Sequence, residues 1–117
     1  MIKDITNNKI IARNCNICRN FFTRGIGLMF RKKITPTVLA FRKPITAPIH
    51  TCFMCKSIDV LFIDSRQRVA DLVKGLKPWK LYTPKTKAML VIELPEGAIA
   101  KSGVSVGDVI SFKKTWK

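Results

Sequence analysis

The stretch Ile58-Asp59-Val60-Leu61-Phe62-Ile63-Asp64 decides the fold class of this 117-residue chain. Its apolar residues are mostly β-branched or aromatic, and Asp59 is the one polar residue between the first and the last of them. Such a run favours a buried β-strand, and Asp64-Ser65 is typical of the turn that ends one. We therefore predict a strand from Ile58 to Ile63.

Further short strands are predicted on both sides of this segment. Residues 1–13 read as a hairpin that turns at Asn7-Asn8, because asparagine tolerates positive φ. A short helix is expected over about residues 14–26. The other expected elements are strands over 37–41, 50–54, 68–76, 88–94 and 109–112, and one helical turn within 96–102. Many short strands with one or two small helices indicate an α+β fold, mostly antiparallel, in a compact barrel-like sheet.

The composition indicates one domain over residues 1–117 and an unusually basic surface. Hydrophobic residues make up 47% of the chain, which is enough for one core. Lys+Arg 22 against Asp+Glu 7 gives a net charge of +15. Nucleic acid is a partner that such charge attracts, although the charge also serves solubility alone. With no apolar leader and no membrane-length apolar segment, we expect a cytoplasmic protein without a membrane span.

Four cysteines form two Cys-x-x-Cys pairs, a spacing that resembles a four-cysteine zinc site. If residues 50–54 are a strand, residues three apart point to opposite faces, so Cys52 and Cys55 do not share a metal ion easily. The alternative is that the cysteines are small buried side chains. We expect no cofactor, and we keep as an alternative a zinc-stabilised fold. Its ligands would be Cys15, Cys18, Cys52 and Cys55.

Two acidic residues lie inside apolar strands, where an ionised group is costly unless it is paired. They are Asp59 and Glu93, and Arg24 is the expected partner of a buried ion pair, although Glu93 could equally lie on a solvated face. His50 is the only histidine, and no partner for it is identifiable by spacing. Because no complete catalytic arrangement can be assembled from the spacing, the sequence favours a binding protein over an enzyme and leaves an enzyme as a third alternative.

Several motifs occur in an order that resembles one known family. They are Arg24-Gly25-Ile26-Gly27-Leu28-Met29, Ile49-His50-Thr51-Cys52-Phe53-Met54, Ile58 to Asp64, Lys77-Pro78-Trp79 and Ile92-Glu93-Leu94-Pro95-Glu96-Gly97. Over about residues 10–113 the chain resembles the domain of unknown function 192 family. The resemblance implies a compact, barrel-like α+β domain and no established activity. Relatives that the chain resembles generally lack the four cysteines, so the shared fold does not require zinc.

The leading hypothesis is a non-catalytic binding module with a pocket near Arg24, Asp59 and Trp79. Ligand sites usually combine an apolar wall with a few polar groups, and the motif residues supply both. The candidate binding residues are Arg24, Met29, His50, Met54, Asp59, Trp79 and Glu93. The expected ligand is an unidentified small molecule or peptide. A basic nucleic-acid-associated protein is the alternative, and the methionines and Trp79 could instead belong to the core.

Overall fold

The computed structural model describes residues 1–18 and 34–112, with residue 18 described for its backbone alone. In chain order the strands are β1 (Ile2–Asp4), β2 (Lys9–Ala12), β3 (Asn16–Cys18), β4 (Thr37–Ile45), β5 (Ile49–His50), β6 (Ile58–Ile63), β7 (Val69–Leu76), β8 (Leu81–Tyr82), β9 (Ala88–Pro95) and β10 (Ile110–Phe112). One short helix, α1 (Ala98–Ser102), follows β9. Within these residues no helix is long and apolar enough to cross a membrane.

The strand predicted from Ile58 to Ile63 is confirmed as β6, and it is buried at every residue. It lies inside a five-stranded sheet of order β3-β4-β9-β6-β7. All neighbouring pairs in this sheet are antiparallel except β3 and β4, which are parallel. A strand that is covered on both faces requires a nearly continuous apolar sequence, which explains the run that the sequence shows.

The two faces of this sheet are covered by different parts of the chain. On one face, Val60 and Phe62 pack in a cluster that includes Met54. On the other face, Leu61 packs in a second cluster with Ile99 of α1. Side chains alternate between faces along a strand, so Asp59 points toward the α1 side, away from Met54. This separation decides which candidate residues can act together.

Two smaller sheets complete the described fold. One has the order β10-β1-β2, and the other pairs β5 with β8. A bridge between Arg68 and Val109 connects the start of β7 with the start of β10. A closed barrel requires the two edge strands to pair with each other, and among the described strands β3 and β7 do not. The expected barrel-like sheet is therefore corrected to open sheets, while the mostly antiparallel α+β class is confirmed.

Two other local predictions are also confirmed. Residues 1–13 form the expected hairpin of β1 and β2, and Asn8 at its turn has a φ of 55°. The helical turn is α1, and Gly103 ends it with a φ of 72° while its N–H donates to the carbonyl of Ile99 at 2.9 Å. Left-handed glycine is the usual end of a helix.

Two local predictions are wrong. Residues 16–18 of the expected helix are strand β3, because they pair with residues 37–39 of β4, and tertiary pairing overrides a weak helical pattern. Residues 19–26 of that helix lie outside the described residues. The expected strand over residues 50–54 ends at His50. The N–H of Met54 then donates to the carbonyl of Thr51 at 3.1 Å, which closes a turn.

Candidate binding surface

Two aromatic side chains, Phe53 and Trp79, pack against each other on the outside of the molecule. Their ring centroids lie 4.7 Å apart, and the ring planes meet at 61°, an edge-to-face arrangement. Phe53 is 46% exposed and Trp79 is 62% exposed. Burying a large aromatic side chain lowers the free energy of a protein more than burying a smaller apolar one. An aromatic pair that is exposed to solvent therefore indicates a surface that binds a partner.

Both rings are carried by tight turns, and both residues have a positive φ. Phe53 is the third residue of the turn from Thr51 to Met54 and has a φ of 63°. Trp79 has a φ of 62° and follows Pro78, which favours the second position of a turn. A positive φ costs a non-glycine residue about 1 kcal/mol or more, and such strain concentrates at functional sites.

A buried threonine, Thr51, joins the two turns. Its carbonyl accepts a hydrogen bond from the N–H of Trp79 at 2.9 Å, and its N–H donates to the carbonyl of Lys80 at 2.8 Å. Its hydroxyl Oγ1 accepts from the N–H of Lys80 at 2.8 Å and donates to the carbonyl of Lys77. The hydroxyl thus lies between the two ends of the second turn, so the positions of both rings depend on Thr51.

Three lysines lie close in sequence to the aromatic pair. Lys77 and Lys80 are the first and last residues of the turn that carries Trp79, and Lys56 follows the turn that carries Phe53. All three are exposed. We call these five residues, Phe53, Lys56, Lys77, Trp79 and Lys80, the Phe53–Trp79 surface. Exposed rings among cations can contact the flat faces and the charges of an anionic ligand at the same time.

Charges are sorted between the interior and the surface of the described chain. Glu96 is the only one of the seven acidic residues that is exposed. Most of the others accept internal hydrogen bonds, as Asp64 does from the N–H groups of Arg66 and Arg68 at 2.9 and 3.0 Å. By contrast, every described lysine and arginine except Lys3 is exposed. In the part of the chain that the structure describes, the surface therefore carries many more positive than negative charges.

Asp59, a predicted binding residue, is fully occupied by the backbone. It is 1% exposed, and its Oδ1 accepts the N–H of Gly75 at 2.9 Å. Its Oδ2 accepts the N–H groups of Gly97 and Ile99 at 3.1 and 2.9 Å, which caps α1 in place of a side chain from the helix itself. The structure does not bring Asp59 together with Trp79, which lies on a turn beside the other core cluster.

Glu93 is buried in the large sheet, at 4% exposure, opposite Thr37 of β4 and Val60 of β6. Burial raises the pKa of its carboxyl group from 4.5 to about 7. Burial favours the neutral form of a carboxyl group because it removes the hydration of the carboxylate. Within the described residues, Glu93 is therefore a carboxyl group inside the core rather than part of the Phe53–Trp79 surface.

The remaining predicted binding residues fall in several places. Met54 is buried at 5% exposure in the core cluster with Val60. His50 is exposed at the end of β5 and pairs with Leu81, which is itself 69% exposed. Arg24 and Met29 lie outside the described residues. The binding roles of these four residues stay predictions.

The four-cysteine zinc site stays a prediction, but the argument that strand geometry separates Cys52 from Cys55 is wrong. Cys52 lies in the turn and Cys55 directly after it, so the strand geometry that was expected to separate them is absent. Cys15, Cys52 and Cys55 have free thiols, and burial raises the pKa of Cys15. Within the described residues no three His, Cys, Asp or Glu side chains could hold a metal ion. The side chain of Cys18 is not described, so the four-cysteine hypothesis is untested.

An open groove lies beside α1, on the opposite face of the large sheet from Met54. Its volume is about 770 Å³, and Lys9, Arg13 and Lys101 are among its lining residues. None of the predicted binding residues that the structure describes lines this groove. Lys9 and Lys101 of this groove are exposed, so substitutions at these positions serve as controls for substitutions of the lysines in the Phe53–Trp79 surface.

The family of the chain follows from comparison with known proteins. The family model DUF192, described as Uncharacterized ACR, matches residues 2–112. The chain belongs to this family. UPF0127 protein PF1050 of Pyrococcus furiosus is 38% identical over 113 residues, covering 95% of this chain and 97% of that protein. UPF0127 protein PH1112 of Pyrococcus horikoshii is 40% identical over 114 residues, covering 96% of this chain and 98% of that protein.

A solved structure is similar to this DUF192 chain in fold. It is a protein of unknown function from Novosphingobium aromaticivorans, which superimposes with a TM-score of 0.79 at 19% identity. The match covers 84% of this chain and 74% of that chain. At this level of identity the likeness shows the fold alone. The match of the family model to residues 2–112 confirms the family resemblance predicted from the motifs.

Of the Phe53–Trp79 surface, the sequence predicts only Trp79 as a binding residue, and it identifies neither Phe53 nor the buried Thr51 that joins the two turns. Both lie within the family-like segment Ile49 to Met54, but the segment was interpreted as a strand. The sequence does indicate the second turn, because the proline in Lys77-Pro78-Trp79 is typical of the second position of a turn. Nothing in the sequence indicates that this turn contacts Thr51.

Proposed function

We propose that this DUF192 chain is a binding module that holds an anionic polymer on the Phe53–Trp79 surface. The observation that carries the proposal is the pair of exposed aromatic residues at positive φ on two turns. Glycine would adopt this backbone with less strain and would leave no apolar surface in water. Recognition of a ligand is a reason for a chain to keep aromatic residues there.

The charge distribution supports an anionic ligand. Lys56, Lys77 and Lys80 are exposed beside the rings, and Glu96 is the only exposed acidic residue in the chain. A surface of one sign raises the rate at which a polyanion associates. Lysine contacts with phosphate groups release counterions and make binding depend on salt.

This proposal changes the pocket that was expected near Arg24, Asp59 and Trp79. Trp79 remains at its centre, and Phe53 joins it. The proposal leaves Asp59 out, since its carboxylate oxygens already accept three backbone N–H groups. The ligand then lies on an open surface formed by two turns rather than in a closed pocket, which suits a polymer better than a small molecule.

The test is a titration of the ¹⁵N-labelled protein with inorganic polyphosphate, followed by amide chemical shifts. The expected result is that the largest shifts occur in residues 51–56 and 77–81. The double variant Lys77→Gln/Lys80→Gln should bind more weakly than the matched variant Lys9→Gln/Lys101→Gln, which removes the same charge beside α1. Equal weakening in both variants, with shifts spread over the whole surface, would contradict the proposal.

A further inference from the structure

We infer that the polymer is a single-stranded nucleic acid whose bases stack on the exposed ring of Trp79, which packs beside Phe53. This inference rests on the proposed function, and it adds the chemical class of the ligand and the mode of contact. The structure supplies the two components that sequence-tolerant binding of single strands requires, namely aromatic platforms and neighbouring cations.

The geometry of the pair leaves a ring available for stacking. At an interplanar angle of 61°, an edge of one ring contacts the other ring, so the two rings do not cover each other. Trp79 keeps 62% of its surface exposed. A base that stacks on such a ring contributes about 1–3 kcal/mol, for any of the four bases.

The turns hold the rings still before a ligand arrives. Thr51 binds the Trp79 turn through hydrogen bonds of its carbonyl, its N–H and its hydroxyl. Proline at position 78 further restricts the backbone of that turn. A platform that is already ordered loses less conformational entropy when it binds, which favours affinity.

The arrangement of the lysines fits a strand that passes over the rings. Lys77 and Lys80 flank Trp79 within one turn, and Lys56 is the second residue after the turn that carries Phe53. We expect the phosphates next to a base stacked on Trp79 to contact these exposed lysines. Duplex DNA offers the same phosphates, but its bases are already stacked on one another and cannot use the rings.

An anionic lipid surface is the main competing partner, because aromatic and basic residues also bind membrane interfaces. Among the residues that the structure describes around the Phe53–Trp79 surface, the exposed large apolar side chains are Phe53, Trp79 and Leu81. Interfacial binding relies on a continuous apolar face that enters the lipid. Here lysines interrupt the apolar residues, which favours stacking on single rings.

The direct experiment measures the fluorescence of Trp79 in the full chain with Trp116→Phe, which removes the other tryptophan. The probes are mixed-sequence oligonucleotides of about 12 nucleotides, as single-stranded RNA, single-stranded DNA and duplex DNA, together with inorganic polyphosphate. The expected result is quenching by either single strand, and affinity about ten-fold or more above that for duplex DNA or polyphosphate. The RNA and DNA arms show which sugar the surface prefers.

Paired variants separate stacking from apolar contact. Trp79→Phe keeps a ring, whereas Trp79→Leu keeps an apolar side chain without one. These variants lack the Trp79 reporter, so their binding is measured by the fluorescence anisotropy of end-labelled oligonucleotides. Stacking predicts that Trp79→Leu weakens single-strand binding by about ten-fold or more, while Trp79→Phe stays within about three-fold of the parent. Lys77→Gln/Lys80→Gln should lower the slope of log affinity against log salt by about 1, since about 0.7 ions are released per single-strand phosphate contact.

The outcomes distinguish this inference from the proposed function. If Trp79→Leu binds single strands as tightly as the parent while Lys77→Gln/Lys80→Gln weakens polyphosphate binding, stacking is wrong and the proposed polyanion surface stands. If neither variant differs from Lys9→Gln/Lys101→Gln, both are wrong. Binding to vesicles of phosphatidylserine and phosphatidylcholine with a blue shift of Trp79, but not to oligonucleotides, also overturns the inference.

Discussion

Phe53 packs edge-to-face against Trp79, with 4.7 Å between ring centroids, and each residue has a φ close to 60°. Two separate turns therefore accept the same unfavourable backbone conformation at the point where their aromatic side chains meet. The hydrogen bonds of Thr51 hold the turns in that relation. The contribution of the Thr51 hydrogen bonds to stability and the function of the Phe53–Trp79 surface can be tested separately.

The first prediction concerns the hydroxyl of Thr51. Replacing Thr51 with valine keeps the shape of the side chain but leaves the N–H of Lys80 and the carbonyl of Lys77 without their partner. An unsatisfied buried polar group costs about 1–3 kcal/mol. We expect Thr51→Val to lower the free energy of unfolding by about 2 kcal/mol in urea denaturation.

Thr51→Ser is the matched control because it keeps the hydroxyl and loses one methyl group. It should stay within about 1 kcal/mol of the parent, since one buried methyl group contributes about that much. The fluorescence of Trp79 should also shift toward that of a solvated indole in Thr51→Val but not in Thr51→Ser. Equal stability of the two variants would argue against a bridging role for the hydroxyl.

The second prediction concerns the cap of α1. Asp59→Asn removes the negative charge and places a donating NH2 group against either the N–H groups of Gly97 and Ile99 or the N–H of Gly75, which leaves those donors without an acceptor. Hydrogen bonds to a carboxylate are about twice as strong as neutral ones. We expect a loss of about 3 kcal/mol in the free energy of unfolding.

Glu96→Gln is the control for Asp59→Asn, since it removes one negative charge from an exposed side chain. Its effect should lie within about 0.5 kcal/mol, the usual range for surface substitutions. Hydrogen exchange gives a second measurement, because loss of the cap should speed exchange at Ile99 and Gly103. Unchanged exchange in Asp59→Asn would show that α1 does not depend on this carboxylate.

The third prediction concerns Gly75, which forms a bulge in β7 opposite β6. Ile58 pairs with Leu76 and Val60 pairs with Val73, so β7 has one extra residue there, and Gly75 has a φ of 63°. A Cβ atom at position 75 would lie 2.8 Å from Oε2 of Glu96. We expect Gly75→Ala to cost about 1–2 kcal/mol of stability through its positive φ.

The destabilisation by Gly75→Ala has a steric contribution, from the contact with Glu96, and a backbone contribution, from the positive φ. Removing the Glu96 side chain separates the two contributions. In the background of Glu96→Ala, Gly75→Ala should still cost about 1 kcal/mol, because the backbone strain remains when the clash is gone. Urea denaturation of the four chains of this cycle measures both parts. A Gly75→Ala chain as stable as the parent in both backgrounds would contradict the left-handed bulge.

The fourth prediction concerns pH. Burial raises the pKa of Glu93 from 4.5 to about 7, so the folded chain holds this proton more tightly than the unfolded chain does. The stabilising effect of the protonated group is full below pH 4.5 and is lost as pH rises toward and through 7. By pH 8 the loss amounts to about 3 kcal/mol.

Glu93→Gln replaces the carboxyl group with a neutral group of nearly the same shape. Its stability relative to the parent should rise by about 3 kcal/mol between pH 4 and pH 8. Urea denaturation at these two pH values measures the difference, and pH effects that both chains share cancel. A difference that does not change with pH would show that Glu93 keeps an ordinary pKa.

Much of the strand and helix pattern could be predicted from local sequence. The run from Ile58 to Ile63 predicts β6, Asn7-Asn8 predicts the first hairpin, and Gly103 marks the end of α1. These signals are local, since β-branched residues, asparagine and glycine each restrict or relax their own backbone. The family also followed from motifs that can be read directly in the sequence.

The candidate site was predicted only in part, because its residues depend on distant contacts. Trp79 was identified as a site residue, yet Asp59 was grouped with it although backbone N–H groups from two other segments occupy its carboxylate. Phe53 was assigned to a strand because its apolar neighbours resemble one. The turn exists because Thr51 binds residues 77–80, and no local pattern encodes that partner.

The basic character of the protein, its family and the mostly antiparallel class of its fold can be read from the sequence, because composition, motif order and periodicity are properties of one chain. Three features depend on how the chain packs: the open sheets, the full or partial burial of every acidic side chain except Glu96, and the contact between Phe53 and Trp79 at the surface. Strand closure, charge sorting and side-chain pairing depend on distances between residues far apart in the chain. Those distances are set when the whole chain packs.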